Sequence, residues 1–243
     1  MAEKLIEQVT DHVYLIDAEA MNVFLIATPE GLTLIDTGFP GTMALIDQAV
    51  RSLGRSPEEI GDILVTHCHP DHAGGLAEVK EATCAVAWMH PADAEMVRMG
   101  TAFRPYEPAP GLSNRLFITE VIEKSPETSP PANVDKEVLS GETIPVAGGI
   151  KAIGTPGHTA GHLAFFWPGD GGVLFVGDVA KHVDGLQLSP IYEDLAQGRE
   201  DLNMLAGLEF DTACFAHGAP IVGGAAAVFE KKWGKDAKST EKG

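Results

Sequence analysis

The chain has 243 residues, 44% hydrophobic and 21% charged, which suits one domain or two closely packed halves with a sizeable core. Formal net charge is −18; residues 231–243 hold five Lys against Asp236 and Glu241, so the body before them carries 12 basic and 33 acidic side chains, or −21. Such a body repels phosphate backbones and anionic membranes, which argues against nucleic-acid and membrane partners and leaves a small molecule as the expected one.

In chain order, Val13–Asp17, Asn22–Thr28 and Leu32–Asp36 read as successive strands, the last two joined by a Pro-Glu-Gly turn. Thr42–Leu53 has helical periodicity, with Leu45, Ile46, Ala49 and Val50 on one face. Asp62–Thr66 is a short buried-strand pattern running into a helix at Asp71–Ala82. A strand at Ala85–Met89 and a helix at Pro91–Met99, with Pro in its first turn, follow. Residues 104–137 contain six prolines and show little regular pattern beyond Leu116–Ile122. An irregular insert of this length is expected to cover the substrate or to run passively over the surface. Further strands are expected at Val134–Leu139, Thr143–Val146, Lys151–Thr155, Leu163–Trp167, Val173–Gly177 and Thr212–Ala216. Helices are expected at Glu193–Leu208 and Ala225–Trp233. The order of elements suits two packed sheets with helices outside. It suggests a single domain over 1–234 with a polar tail at 235–243.

Cys68, Cys84 and Cys214 stand far apart with no CxxC pair, an odd set that favours a reducing compartment over a disulfide framework. The opening MAEKLIEQVTDH has neither a basic start nor a long apolar run, and no stretch approaches the roughly 20 apolar residues of a membrane span. A cytoplasmic location is the expectation.

The strongest chemical signal is His67-Cys68-His69-Pro70-Asp71-His72, three imidazoles and a carboxylate within six residues. These are suitable ligands for zinc and related divalent ions. The cluster follows a buried strand, where a rigid scaffold presents loop side chains to a cleft. In an extended loop His67 and His69 point to one side and can share an ion, while Asp71 and His72 come after the turn and can face a second. Cys68 between them reads as a spacer pointing the other way.

THCHPDHAGG resembles the HxHxDH motif of the metallo-β-lactamase superfamily. Thr155-Pro156-Gly157-His158-Thr159 resembles its second histidine motif, Gly177-Asp178 its bridging aspartate and Ala216-His217-Gly218 its last histidine. Leu34-Ile35-Asp36-Thr37-Gly38 resembles its early strand-turn, so the likeness extends from about residue 12 to 222. It implies an α/β fold, an αββα sandwich of two mixed sheets flanked by helices. It also implies that His67, His69 and His158 hold one ion, Asp71, His72 and His217 a second, and that Asp178 bridges both. Two divalent ions are expected, zinc first, with iron or manganese as alternatives. The implied reaction is hydrolysis of an ester, thioester or lactone by a metal-bridging hydroxide, with Asp71 the candidate for proton movement.

Asp36 reads as orienting a ligand or capping a turn. His12 and His90 read as ordinary surface residues, and His162 as structural rather than as a hydrogen-bonding support for a ligand. Lys181, His182 and Tyr192, shortly after Asp178, are candidate substrate contacts. The alternative function is a persulfide-dioxygenase-like oxidoreductase with a single iron. A β-lactamase is less favoured, because Asp178 fits the branches with a bridging carboxylate better.

Overall fold

The computed structural model describes residues 5–18 and 21–235. Two mixed sheets pack face to face. The first has seven strands in the spatial order Ile6–Gln8, Val13–Asp17, Asn22–Thr28, Gly31–Ile35, Ile60–Leu64, Val86–Met89 and Lys136–Glu137. The second has six, in the order Ile221–Val222, Thr212–Phe215, Val173–Gly177, Leu163–Trp167, Ile150–Gly154 and Thr143–Ile144.

Strand periodicity explains the layers. Along Asn22–Thr28, Phe24 and Ile26 face the other sheet, while Val23 and Leu25 face helices on the outside. Phe165, Val173 and Phe175 answer from the second sheet, with the Phe24 and Phe175 rings 5.7 Å apart. The outer face of the first sheet is covered by the helices Met43–Ser52, Leu76–Thr83 and Pro91–Met99. That of the second is covered by Leu195–Leu205 and Ala225–Trp233. Central strands are therefore buried on both sides, which is why they read as continuous apolar runs. The expected αββα sandwich is the architecture found. Among the described residues no helix is long and apolar enough to cross a membrane.

Several elements differ from the sequence expectation. The helix expected over Asp71–Ala82 is two, Pro70–Ala73 and Leu76–Thr83. They separate at Gly74-Gly75, where the backbone lies against Thr37 and Pro70 too closely for a side chain. The insert contains a helix, Leu112–Glu120, and a short 3-10 turn, Ile122–Lys124, both fitted between Pro110 and Pro126. The strand expected at Val134–Leu139 pairs only at Lys136–Glu137. A hairpin of Ala180–His182 with Leu186–Leu188, and a pairing of Ile191–Tyr192 with Glu107–Pro108, were not anticipated. Residues 236–243, most of the expected polar tail, lie outside the described residues.

The sandwich collects loops at one edge. Gly31–Ile35 and Ile60–Leu64 run parallel, as do Val173–Gly177 and Thr212–Phe215. Ile150–Gly154, two antiparallel steps from Val173–Gly177, points the same way. The segments that follow these five strands carry Asp36, the 67–72 run, His158, Asp178 and His217.

Candidate metal centre

Seven side chains separated by up to 150 positions meet at that edge as two adjacent groups. Donor atoms of His67, His69 and His158 all lie within 4.8 Å of one another, and so do those of Asp71, His72, Asp178 and His217. His67 Nε2 is 2.9 Å from His69 Nδ1, and His158 Nε2 is 3.2 Å from each. Asp178 touches both groups. Its Oδ1 is 3.4 Å from His72 Nε2, and its Oδ2 is 3.3 Å from His217 Nε2 and 3.8 Å from His158 Nε2. Asp71 Oδ2 lies 3.3 Å from His217 Nε2 and 3.6 Å from His72 Nε2.

The surrounding hydrogen bonds fix which ring nitrogen is free. His158 Nδ1 donates to the carbonyl of Ile191 at 3.0 Å, leaving Nε2 with its lone pair toward the group. His72 Nδ1 donates to Asp36 Oδ2 at 2.8 Å. The Thr66 hydroxyl donates to the same carboxylate at 2.9 Å and can then accept from His67 Nδ1 at 3.0 Å. Asp36 thus orients the His72 ring and, through Thr66, the His67 ring, from a left-handed backbone (φ 63°) that a short carboxylate tolerates.

His162, read as structural rather than as a hydrogen-bonding support, instead hydrogen-bonds the loop of the candidate bridging residue. Its Nε2 accepts from the Asp178 amide at 2.9 Å, and its Nδ1 bonds Thr155 Oγ1 at 2.6 Å. Gly177, just before Asp178, has φ 58° and lies against the His162 ring with no room for a side chain. His182 is likewise spent on the scaffold. Its amide donates to the His217 carbonyl at 2.9 Å and its Nδ1 bonds Ala219 O at 2.7 Å. Tyr192 is fully buried: its hydroxyl donates to Val179 O at 2.7 Å and accepts from the Ser189 amide at 3.0 Å. Of the three candidate substrate contacts, Lys181 alone lines the cavity above the donors; His182 and Tyr192 do not. His12 pairs with Asp170 at 2.8 Å, and His90 caps the Pro91–Met99 helix, accepting from the Ala92 amide at 3.3 Å.

One hub was invisible in the sequence. Asp93, fully buried in the first turn of the Pro91–Met99 helix, accepts from the Cys68 amide at 3.1 Å and from Thr159 Oγ1 at 2.6 Å. It also accepts from the Gly161 amide at 3.1 Å and from Arg104 at 2.9 Å. It therefore ties the loop of His67 and His69 to that of His158. Arg104, also paired with Glu193 at 2.9 Å, fastens the start of the insert to the same point.

Charge divides the two groups. Burial first, then the neighbouring imidazoles, holds His67 well below the ordinary histidine range, and His69 falls to about 3 for the same reasons. Burial also works to lower His72 and His217. In them it is outweighed by Asp71 and Asp178, which raise His72 well above its ordinary value and His217 to about 10. Without metal at neutral pH the first group is thus neutral imidazole and the second holds two imidazolium ions between carboxylates. For the metal-free fold this pairing of His217 contributes stability in full below about 6.5, lost as pH rises through about 10. A cation entering the second group must displace these protons, so affinity falls as pH falls. Metal binding at pH 7 is expected to release about two protons in all. Calorimetry in buffers of different ionisation enthalpy measures this number.

The donor set fits metal on an independent observation. His72 Nε2 and Asp178 Oδ1 are buried with no hydrogen-bond partner, and both point into the space between the ligand candidates. In the metal-free protein these two atoms face each other at 3.4 Å without closing a hydrogen bond, and a metal cation between them would satisfy both. The expected spacer behaves as such. Cys68 is buried in the apolar core, and burial, with Asp93 adding, keeps its thiol well above the usual range. Cys68→Ala is expected to keep full metal content while losing about 1 kcal/mol of stability, read by elemental analysis beside a denaturant titration.

The family model described as "Metallo-beta-lactamase superfamily" matches residues 16–217. The "Probable metallo-hydrolase YflN" of Bacillus subtilis is 27% identical over 220 residues, 83% of this chain and 82% of that protein. A hydroxyacylglutathione hydrolase of Hyphomonas neptunium is 31% identical over 120 residues, 49% of this chain but only 33% of that enzyme. Among solved structures, the Rm3 metallo-beta-lactamase superposes with a TM-score of 0.70 at 25% identity, covering 89% of this chain and 79% of that one.

Proposed function

The chain belongs to the metallo-β-lactamase superfamily, and from that premise we propose that it is a hydrolase holding two divalent cations, zinc by preference, that cleaves a small ester, thioester or lactone. The observation that carries this reading is the pair of adjacent donor groups with Asp178 between them, at the floor of an open cavity. His67, His69 and His158 would hold one cation, Asp71, His72 and His217 the other, and Asp178 both. Bound there, such cations polarise a carbonyl and lower the pKa of water, the chemistry that hydrolysis near neutral pH requires. The two-group arrangement favours a dinuclear centre over a single iron.

The chain's own residues supply the rest. Asp36 and Thr66 hold the rings of His72 and His67 so that no imidazole must reorganise. Burial works to raise the Asp71 pKa, but His72 and His217 hold it down at about 2, so it faces the cavity as a carboxylate. Its Oδ2, 3.3 Å from His217 Nε2 and 3.6 Å from His72 Nε2, is placed as a donor to a cation, and a carboxyl held that low is a weak base. The relative named for hydrolysing an acylglutathione supports transfer of an acyl group to water as the reaction class. The free thiols of Cys68, Cys84 and Cys214 agree with a reducing, cytoplasmic setting.

Metal-loaded protein assayed against lactones, thioesters, phosphodiesters and β-lactams is expected to turn over an ester-like class, to lose that activity to a chelator and to regain it with zinc. One iron per chain with oxygen uptake on a persulfide would overturn the reading. Inactivity on every class at full metal occupancy would do the same.

A further inference from the structure

The cavity above the donor groups has a volume of about 590 Å³, within the roughly 300–1,000 Å³ of small-molecule sites. Its floor carries His69, Asp71, His158, Asp178 and His217, but its walls are of a different character. One wall is Phe103 with the insert that follows it. Phe103 rests on the His69 ring at 4.9 Å, and Phe117, Val121 and Ile122 continue outward from it. Phe39, from the turn after Gly31–Ile35, and Val183, from the hairpin after Asp178, also line the cavity.

Four of these side chains are exposed although they are large and apolar: Phe39 by 41%, Phe117 by 41%, Val121 by 44% and Val183 by 60%. Apolar side chains gathered exposed around a single opening leave surface in water that a ligand could cover. Among the described residues lining the cavity beyond the donor groups, Lys181 is the only lysine or arginine and Asp184 the only carboxylate. The chamber therefore offers little to recognise a highly charged substrate and much to bury a hydrocarbon.

Resting on the hydrolase reading above, we propose that the substrate bears a neutral, non-polar alkyl or aryl tail on the acyl side of the scissile bond. The tail lies against the insert while the carbonyl sits over the donors. In this role the 104–137 insert selects the substrate. Phe103, just before the insert, is the inner stop and Val121 part of the rim.

Two readouts test this. For the metal-loaded protein, kcat/KM is expected to rise from acetyl through butanoyl and hexanoyl to octanoyl thioesters of one thiol, by up to about fourfold per methylene. Octanoate is expected to bind at least about tenfold tighter than acetate by calorimetry, a measurement that needs no turnover. Val121→Asp on the exposed rim should compress both chain-length ratios. A flat or falling series in an active enzyme, or octanoate binding no tighter than acetate, would overturn the proposal. A preference that follows the thiol or alcohol half instead would overturn it too. Tighter octanoate binding by a protein inactive on all esters would leave the apolar pocket standing and sink the hydrolase reading alone.

Discussion

Asp178→Ala is expected to lower hydrolysis by on the order of a thousandfold or more, and to deplete both donor groups rather than one. The scale exceeds the 10–100-fold typical of groups that only support a ligand. The Asp178 carboxylate lies within reach of both groups, at 3.8 Å from His158 Nε2 and 3.3 Å from His217 Nε2. Its removal also takes away the carboxylate that contributes most to raising His217. Asp178→Asn is the informative companion, since it keeps the shape and one oxygen but not the charge. Metal per chain and kcat/KM, measured on the same sample, check the expectation. A variant that keeps two ions and activity within tenfold would remove Asp178 from the centre.

Asp93→Ala is expected to destabilise the fold by roughly 3–5 kcal/mol, the cost of breaking a buried charge pair from one side. Four donors lose their acceptor together: two backbone amides, the Thr159 hydroxyl and the Arg104 guanidinium. Because three of these donors lie in the loops of His67 and His158, the first cation should also bind more weakly than the second. Arg104→Ala should cost less, since Asp93 then keeps three donors. Denaturant titration of the metal-free protein separates the stability effect from the effect on metal, which competition with a chromophoric chelator measures. Equal weakening of both ions would indicate general loosening instead of positioning of the first triad.

What the sequence disclosed follows from how each feature is encoded. The 67–72 run is local, so its residue types and its place after a buried strand could be read directly. His158, Asp178 and His217 became candidates through short motifs whose neighbours, Gly157, Gly177 and Gly218, are set by close backbone approach. Asp93 has no such mark. Its partners lie 11 to 68 positions away, and an acid in the first turn of a helix looks like an ordinary response to the helix dipole. The insert helix Leu112–Glu120 was missed because its apolar pattern does not describe a core face. Asn114 and Ile118 are buried, while Leu112, Leu116 and Phe117 are exposed. Periodicity reports burial, and this helix leaves apolar side chains exposed, Phe117 at the open cavity among them. Tyr192 and His182 misled through proximity: both stand near Asp178 in sequence, yet both spend their polar atoms on the scaffold.

Anomalous diffraction from crystals of the zinc-loaded protein bears most directly on the centre. Two peaks are expected, one among His67, His69 and His158, the other among Asp71, His72 and His217, with a carboxylate oxygen of Asp178 adjoining each. A single peak, or ions bound away from these side chains, would contradict a dinuclear centre.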